Sequence, residues 1–425
     1  MLTRLNGVLF ASLIAAFVPS AMDSQSAPQA RSVLYAAVGA ELIQYDIDLV
    51  TATLTERGSV TLPANVQEAW QHPSRKYLYV AWSNGGASYT SLGGGVPQND
   101  RHGVSAFLID PASGALLPHG KPAALPSRPV FVTTDIDGTH VITAHNDPSG
   151  LVVHRILPDG TLGPEVPPAG RLDFGIFGHQ VRVDPSNKTV ILVTRGNGPT
   201  ATTPEDPGAL KIFGYRNGVL SNKLSIAPDG GFGYQFRHLD FHPSGKWAFV
   251  TLERQNQIHV YARMPDGTLA SLPRFAKDTL TKKAIAGVNQ SAASIHVHPN
   301  GKFLYVSNRA SATVDSDGHQ VFAGGENSIA VFAINELTGE PTLIQTVDSL
   351  GFEPRTFSLD PSGSILAVAN QLPRSVRAGG SFGEATAGLA LFRVDADGKL
   401  KAARVYPVET GPGRSLFWAR IVPLP

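Results

Sequence analysis

A short turn signal recurs along the chain: His or Asp, then Pro, then a small polar residue and often glycine, set between two runs rich in alternating apolar residues. It stands at His72-Pro73, Asp184-Pro185, His242-Pro243, His298-Pro299 and Asp360-Pro361, with a degenerate copy at 135–138. A second turn is polar and followed by leucine or an equivalent, as in "LPDGTLG" and "MPDGTLA". Its instances begin near Asp46, Asp110, Pro158, Arg216, Pro265, Glu336 and Asp395. The irregular spacing, roughly 50–70 residues, marks a repeated supersecondary unit with variable loops.

Each unit reads as four short strands. In "RHLDFHPSGKWAFVTLERQNQIHVYARMPDGTL" β-branched and aromatic residues alternate with polar ones, and no long helical stripe appears. Four-stranded units repeated around an axis make a β-propeller, whose closure protects its sheet edges. Only six units carry the first turn, and the seventh is split. "SVLYAAVGAELIQYDIDLVTATLT" begins it and "SLFWARIVP" ends the chain. The expected fold is therefore all-β: a seven-bladed β-propeller of four-stranded antiparallel blades, a single domain over 31–425. Its ring is closed by N- and C-terminal strands that share one blade. A parallel β-helix, the competing repeat fold, has a much shorter period.

Composition agrees. Of 425 residues 42% are hydrophobic and 16% charged, which suffices to bury a core, and 43 Gly with 32 Pro suit many turns. The net charge of +1, without a long basic run, excludes nucleic acid as a partner.

The first residues read as an export signal. Arg4 supplies the positive end, residues 8–18 form an uncharged apolar run too short to span a bilayer comfortably, and Ser20 and Ala21 follow. Residues 1–30 are expected to be a signal peptide and disordered leader, and the mature protein periplasmic or secreted. There is no cysteine, so a lipoprotein anchor is excluded and no disulfide forms.

Residues equidistant from the centre of a hairpin turn face each other. On that rule Arg237 pairs with Glu253, Arg355 with Asn370 and Arg309 with Ala292, while His179 lies near Thr194. All these turns point to one face of the ring. His179, Arg237, His238, Glu253, Arg309 and Arg355 therefore gather at the opposite face, near the mouth of the central channel. His72, His242 and His298 precede the turn prolines and read as turn caps. His296 shares a strand face with His298. A zinc site would need a third ligand, which the sequence does not supply, so no metal or other cofactor is expected and His296 lines the channel.

The stretches "FRHLDFHPSGKWAFVTLE", "IHVHPNGKFLYVSNR" and "FEPRTFSLDPSGSILAVANQ" resemble matching blades of the bacterial 6-phosphogluconolactonase and carboxymuconate-lactonising propellers. The likeness runs from about Ser32 to the end and is strongest between His179 and Gln371. Members of that family open a sugar lactone with water, or interconvert a muconate and its lactone, without a required metal. The resemblance implies a catalytic set of His179, Arg237, Glu253 and Arg309, with His238, His296, Asn308, Arg355, Asn370 and Gln371 as substrate contacts. Either Glu253 or His179 is the base that takes a proton from water. The arginines stabilise the tetrahedral oxyanion or grip a carboxylate. The structural alternative is a cross-strand Arg237–Glu253 salt bridge that only locks two strands.

The chain departs from its relatives at Arg195, where an acidic residue is usual, and at Ser294, where "Ala-Glu-Ile-His" is common. Insertions such as "NGGASYTSLGGGVPQNDRHG" and "TVDSDGHQVFAGGEN" fall where loops can cover the mouth. The resulting expectation is an exported lactonase that hydrolyses a sugar-type (aldono) lactone to the hydroxy acid. Export argues against a phosphorylated cytoplasmic substrate. The alternatives are a muconate-type lactonising enzyme and a non-catalytic exported binding module, which Arg195 and Ser294 favour. The implied partner is a small-molecule lactone, with no membrane anchor after cleavage, and the protein is expected as a monomer or weak dimer.

Overall fold

A computed structural model of the protein describes residues 31–85, 101–282, 288–378 and 381–425. The expected signal peptide, and residues 86–100 of the first insertion, lie outside the described residues.

The described residues form seven antiparallel sheets arranged as propeller blades, six of four strands and one in which the short strand Ala123–Ala124 adds a fifth. Among them no α-helix occurs, only a 3₁₀ turn at Pro228–Gly231. The innermost strands are Asn65–Gln71, Pro129–Thr134, Gly178–Val183, Phe236–Phe241, Gln290–Val297, Pro354–Leu359 and Leu416–Pro423. Each packs beside the next and the last returns to the first, so they encircle a channel. Leu416–Pro423 pairs antiparallel with Ser32–Val38, which completes the first blade and closes the ring as expected.

Blade-on-blade packing explains the sequence pattern. Second strands such as Thr189–Thr194, Trp247–Leu252 and Ile365–Asn370 are buried at every position, because a neighbouring blade covers each face. Apolar clusters fill the spaces between adjacent blades. One joins Ile191, Val193, Leu210 and Ile212 to Phe236, Leu239, Ala248 and Val250.

The turn histidines do more than cap. In His72 and His242, Nδ1 accepts the backbone N–H of Ser74 or Ser244 (3.0 Å in each), and Nε2 then donates to Gly138 O or Gly301 O of the next blade (2.8 Å). His298 accepts from Asn300 N at 3.1 Å and donates to Gly363 O at 3.0 Å. Each staples one blade to the next. Gly363 needs its missing side chain twice: its φ is +78°, and a Cβ would sit 2.2 Å from His298 Nε2.

The register differs from the simple hairpin rule by one residue, in the same way in every blade. Near the turns pairing follows the rule, as in Asp240 with Phe249 and Thr356 with Ala369. Farther from the turn each inner strand carries a β-bulge. Leu252 then faces Phe236 instead of Arg237, Asn370 faces Pro354, Arg309 faces Ser291 and Thr194 faces Gly178. A bulge adds a residue to one strand and re-aims the side chains beside it. The expected pairings of Arg237 with Glu253, Arg355 with Asn370 and Arg309 with Ala292 are corrected accordingly.

Candidate active site

The bulges divide the channel into two cavities that meet back to back. Consecutive inner-strand residues line different cavities: Gln67 and Glu68, His179 and Gln180, Arg237 and His238, Arg355 and Thr356, Phe417 and Trp418. The first of each pair faces the mouth opposite the hairpin turns, a cavity of about 300 Å³.

A second set of mouth residues comes from the ends of the second strands. Arg195, Glu253, Arg309 and Gln371 each follow a turn proline (Pro185, Pro243, Pro299 or Pro361) by ten residues. Equal offset in equal blades puts all four around the same mouth, where they line the cavity with His179, Arg237 and Arg355.

Three guanidiniums converge on Glu253. Arg309 Nη2 donates to Oε1 at 2.7 Å, Arg237 Nη1 stands 3.0 Å from the same oxygen, and Arg195 Nη1 lies 3.5 Å from Oε2. Arg237 and Glu253 are buried, with 2% and 8% of their side-chain surface exposed. Burial alone raises the Glu253 pKa. The charges of Arg237, Arg309 and Arg195 outweigh it and hold the carboxyl far below the usual carboxylate range. Burial presses Arg237 down to about 10 despite Glu253, and Arg309 and Arg195 add to the effect.

Other cations surround this cluster. Arg355 lies over the Phe417 ring at 4.2 Å, and its guanidinium has no hydrogen-bond or ion-pair partner among the described residues. Arg195 lies over Phe177 at 3.9 Å, and Phe177 itself takes φ +57°, a left-handed conformation costly for a bulky residue. The cavity wall carries six arginines (128, 195, 237, 309, 355 and 414) against the carboxylates of Glu253 and Glu353.

His179 is buried, and its ring contacts the His238 ring edge-on with centroids 5.1 Å apart. Burial first, then Arg237, His238, Arg355 and Arg195, lower its pKa well below that of ordinary histidine, so it is neutral at pH 7. Its Nδ1, Glu253 Oε2, Arg237 Nε and Arg309 Nε are buried without hydrogen-bond partners among the described residues. Native interiors rarely leave such groups unpaired, and four around one cavity mark a place built to receive a polar ligand.

The structure thus brings together His179, Arg237, Glu253, Arg309, Arg355 and Gln371. It separates the others. His238 opens to the turn-side cavity, since the bulge sends it opposite to Arg237, and His296 joins it there with Nδ1 3.7 Å from Asp240 Oδ2. Asn308 and Asn370, expected as substrate contacts, are fully buried between blades. Their Nδ2 groups donate to Thr279 O at 2.9 Å and Ser349 O at 2.8 Å. Ser294 also belongs to the wall between the cavities, with Oγ donating to Arg355 O at 3.0 Å. Arg128, Arg195, Glu353 and Arg414 are mouth residues that sequence reasoning missed as site residues, and for Arg195 the offset from Pro185 was an available signal. The second insertion forms a hairpin, Thr313–Ser316 with His319–Phe322, beside another, Arg374–Ala378 with Ser381–Ala385.

Comparison with known proteins agrees with this architecture. The family described as "Lactonase, 7-bladed beta-propeller" matches residues 34–378. A 6-phosphogluconolactonase of Pectobacterium carotovorum is 28% identical over 376 residues, 87% of this chain and 92% of its own. That of Serratia proteamaculans is 25% identical over 373 residues, 86% and 90% of the two chains. The periplasmic gluconolactonase of Pseudomonas aeruginosa shares the fold with a TM-score of 0.65 at 20% identity, over 93% of this chain and 99% of its own. The chain belongs to the lactonase family of seven-bladed β-propellers.

Proposed function

We propose that the protein is an exported hydrolase that opens a sugar-type lactone to its hydroxy acid at the arginine-rich mouth. The observation that carries this reading is the convergence of Arg195, Arg237 and Arg309 on Glu253 in a cavity that neutral His179 also lines. The related 6-phosphogluconolactonases support the reaction type.

The roles follow from charge. Glu253, held ionised by three cations, has little affinity for a proton and serves as the counter-ion that fixes the guanidinium forks. His179 is the base: it takes a proton from water as the water oxygen attacks the lactone carbonyl carbon. Negative charge then grows on the carbonyl oxygen, where Arg237, Arg309 and Arg355 stabilise it. That growing charge offsets the cations that otherwise oppose protonation of His179. When the ring C–O bond breaks, His179 returns the proton to the leaving alkoxide, and the product is a hydroxy acid. The arginine excess then suits the carboxylate that forms.

The export signal favours a lactone without phosphate. The excess of arginines over carboxylates favours a second reading, in which the lactone carries an anionic group. Proton release on D-glucono-δ-lactone and on 6-phosphogluconolactone separates the two. Faster turnover of the neutral lactone supports the first reading, a preference for the phosphorylated one supports the second, and no turnover of either refutes both. N-terminal sequencing of the exported protein should find a start between Ala21 and Arg31, and an intact Met1 in the cytoplasm would refute export.

A further inference from the structure

The turn-side cavity, also about 300 Å³, is not used by the reaction at the mouth. Its wall is unusual for a channel that only needs filling. Arg420 and Arg182 flank the indole of Trp70, with guanidinium carbons 4.3 and 5.2 Å from the ring centroid. Arg182 is committed elsewhere: Nη1 stands 3.0 Å from Asp240 Oδ1 and donates to Leu239 O at 3.2 Å. Asp240 is committed in turn to Arg182, to Val297 N at 3.0 Å and to His296. Arg420 has neither a hydrogen bond nor an ion pair among the described residues.

Glu68 lines the same cavity. Its Oε1 accepts from Trp418 Nε1 and from Ala69 N, and Oε2 accepts from no group among the described residues. Burial pushes the Glu68 pKa up to about 7, against the opposing influence of Arg420 and Trp418. The wall therefore offers one uncommitted guanidinium, one carboxyl that can donate a proton, an aromatic platform and the apolar ring of Phe357.

We propose that the turn-side end of the channel is a second ligand site, which takes a small monocarboxylate with Arg420 as its anchor and Trp70 as its platform. A single negative charge matches the one free fork. A protonated Glu68 supplies a second donor to the same carboxylate. A doubly charged phosphate would bring a second charge with no second free guanidinium to hold it, against the Asp240 carboxylate. This assignment does not depend on the lactonase reading, since it concerns binding at the other end of the channel.

The test is calorimetric titration of the full exported chain with sodium gluconate, with glucose as the uncharged control. The expected result is two bound equivalents, one lost in Arg309→Met and the other in Arg420→Met, with no glucose binding at the second. Trp70 and Trp418 line this cavity whereas Trp82 and Trp247 do not, so gluconate should still change tryptophan fluorescence in Arg309→Met. Glu68→Gln keeps an acceptor for Trp418. Its amide also keeps a donor for the ligand, so even if Arg420→Met fails to fold, the second equivalent should weaken about tenfold from pH 6 to pH 8 in wild type and hold its affinity in Glu68→Gln. A single wild-type equivalent that Arg309→Met abolishes would overturn the proposal, as would a second equivalent unchanged in Arg420→Met, or one that weakens from pH 6 to pH 8 as much in Glu68→Gln as in wild type. Lactone turnover is a separate readout: its absence would refute the mouth chemistry and leave the Arg420-dependent equivalent standing.

Discussion

Arg309 donates to Glu253 across 2.7 Å although the two lie 56 residues apart and belong to adjacent blades. Arg237, from the same blade as Glu253, reaches the same oxygen. A pair that only locked one hairpin would need neither the second blade nor Arg195. The carboxylate gathers cations from three blades at one mouth, and that is the arrangement on which the proposed chemistry rests.

The pH profile should report His179. A base must be neutral to act, and a buried histidine among arginines stays neutral to lower pH than an ordinary one, whose pKa is about 6.5. The acid limb of kcat/KM should therefore lie below pH 6.5. Arg195→Gln removes one of the charges that oppose protonation, so its limb should move to higher pH. A wild-type limb at or above 6.5, or no shift in the variant, would contradict the assignment of the base.

The turn histidines should matter for stability and not for turnover. His298→Asn removes the staple from His298 to Gly363, so unfolding free energy should fall by roughly 1–2 kcal/mol, read as a lower melting temperature. Turnover of the folded variant should stay near wild type. A well-folded but inactive His298→Asn would place the chemistry at the other end of the channel.

Much of this architecture was legible beforehand. The turn prolines gave the blades, and "SLFWARIVP" gave the closing strand, because a repeat missing a piece must find it at the other terminus. The bulges were not legible. A bulge bends its strand and re-aims side chains, and nothing local in "FRHLDF" distinguishes a bulged Arg237 from a regularly paired one. That one-residue difference sends His238 away from the arginine-rich mouth. Asn308 and Asn370 misled for a related reason: they precede mouth residues and therefore point between blades. Arg195 was visible only as a departure, although the shared offset from the turn proline already placed it beside Glu253. Glu68 and Arg420 also left a trace, as charges at channel-facing positions in "VQEAWQ" and "FWARIVP".

Glu68 makes stability depend on pH. Its folded-state value near 7 lies above that of an unfolded glutamate, about 4.3, so the folded protein retains a proton that the unfolded chain releases between the two. This contribution is fully present below pH 4.3 and is lost as pH rises through 7. Glu68→Gln is spared that loss, so its melting temperature relative to wild type should rise by a few degrees between pH 5 and pH 8. A difference that shrinks over that range would contradict the buried carboxyl described here.

Chelation should leave turnover unchanged. Among the described residues no group of three or more His, Cys, Asp or Glu is placed to hold an ion, and arginines already occupy the position of the developing charge. Loss of hydrolysis in chelator, restored by one divalent metal, would overturn this reading.

Steady-state kinetics of Glu253→Gln and Arg309→Met on one lactone, with a melting temperature for each variant, test the central claim most directly. Glu253→Gln leaves buried guanidiniums without their counter-ion, and should cost on the order of 3 kcal/mol of stability as well as activity. Each folded variant should lose at least roughly 10²-fold in kcat/KM, the scale of a removed oxyanion donor or of its positioning group. Folded Glu253→Gln and Arg309→Met proteins that hydrolyse the lactone at the wild-type rate would contradict the claim that the arginine-clamped carboxylate organises catalysis.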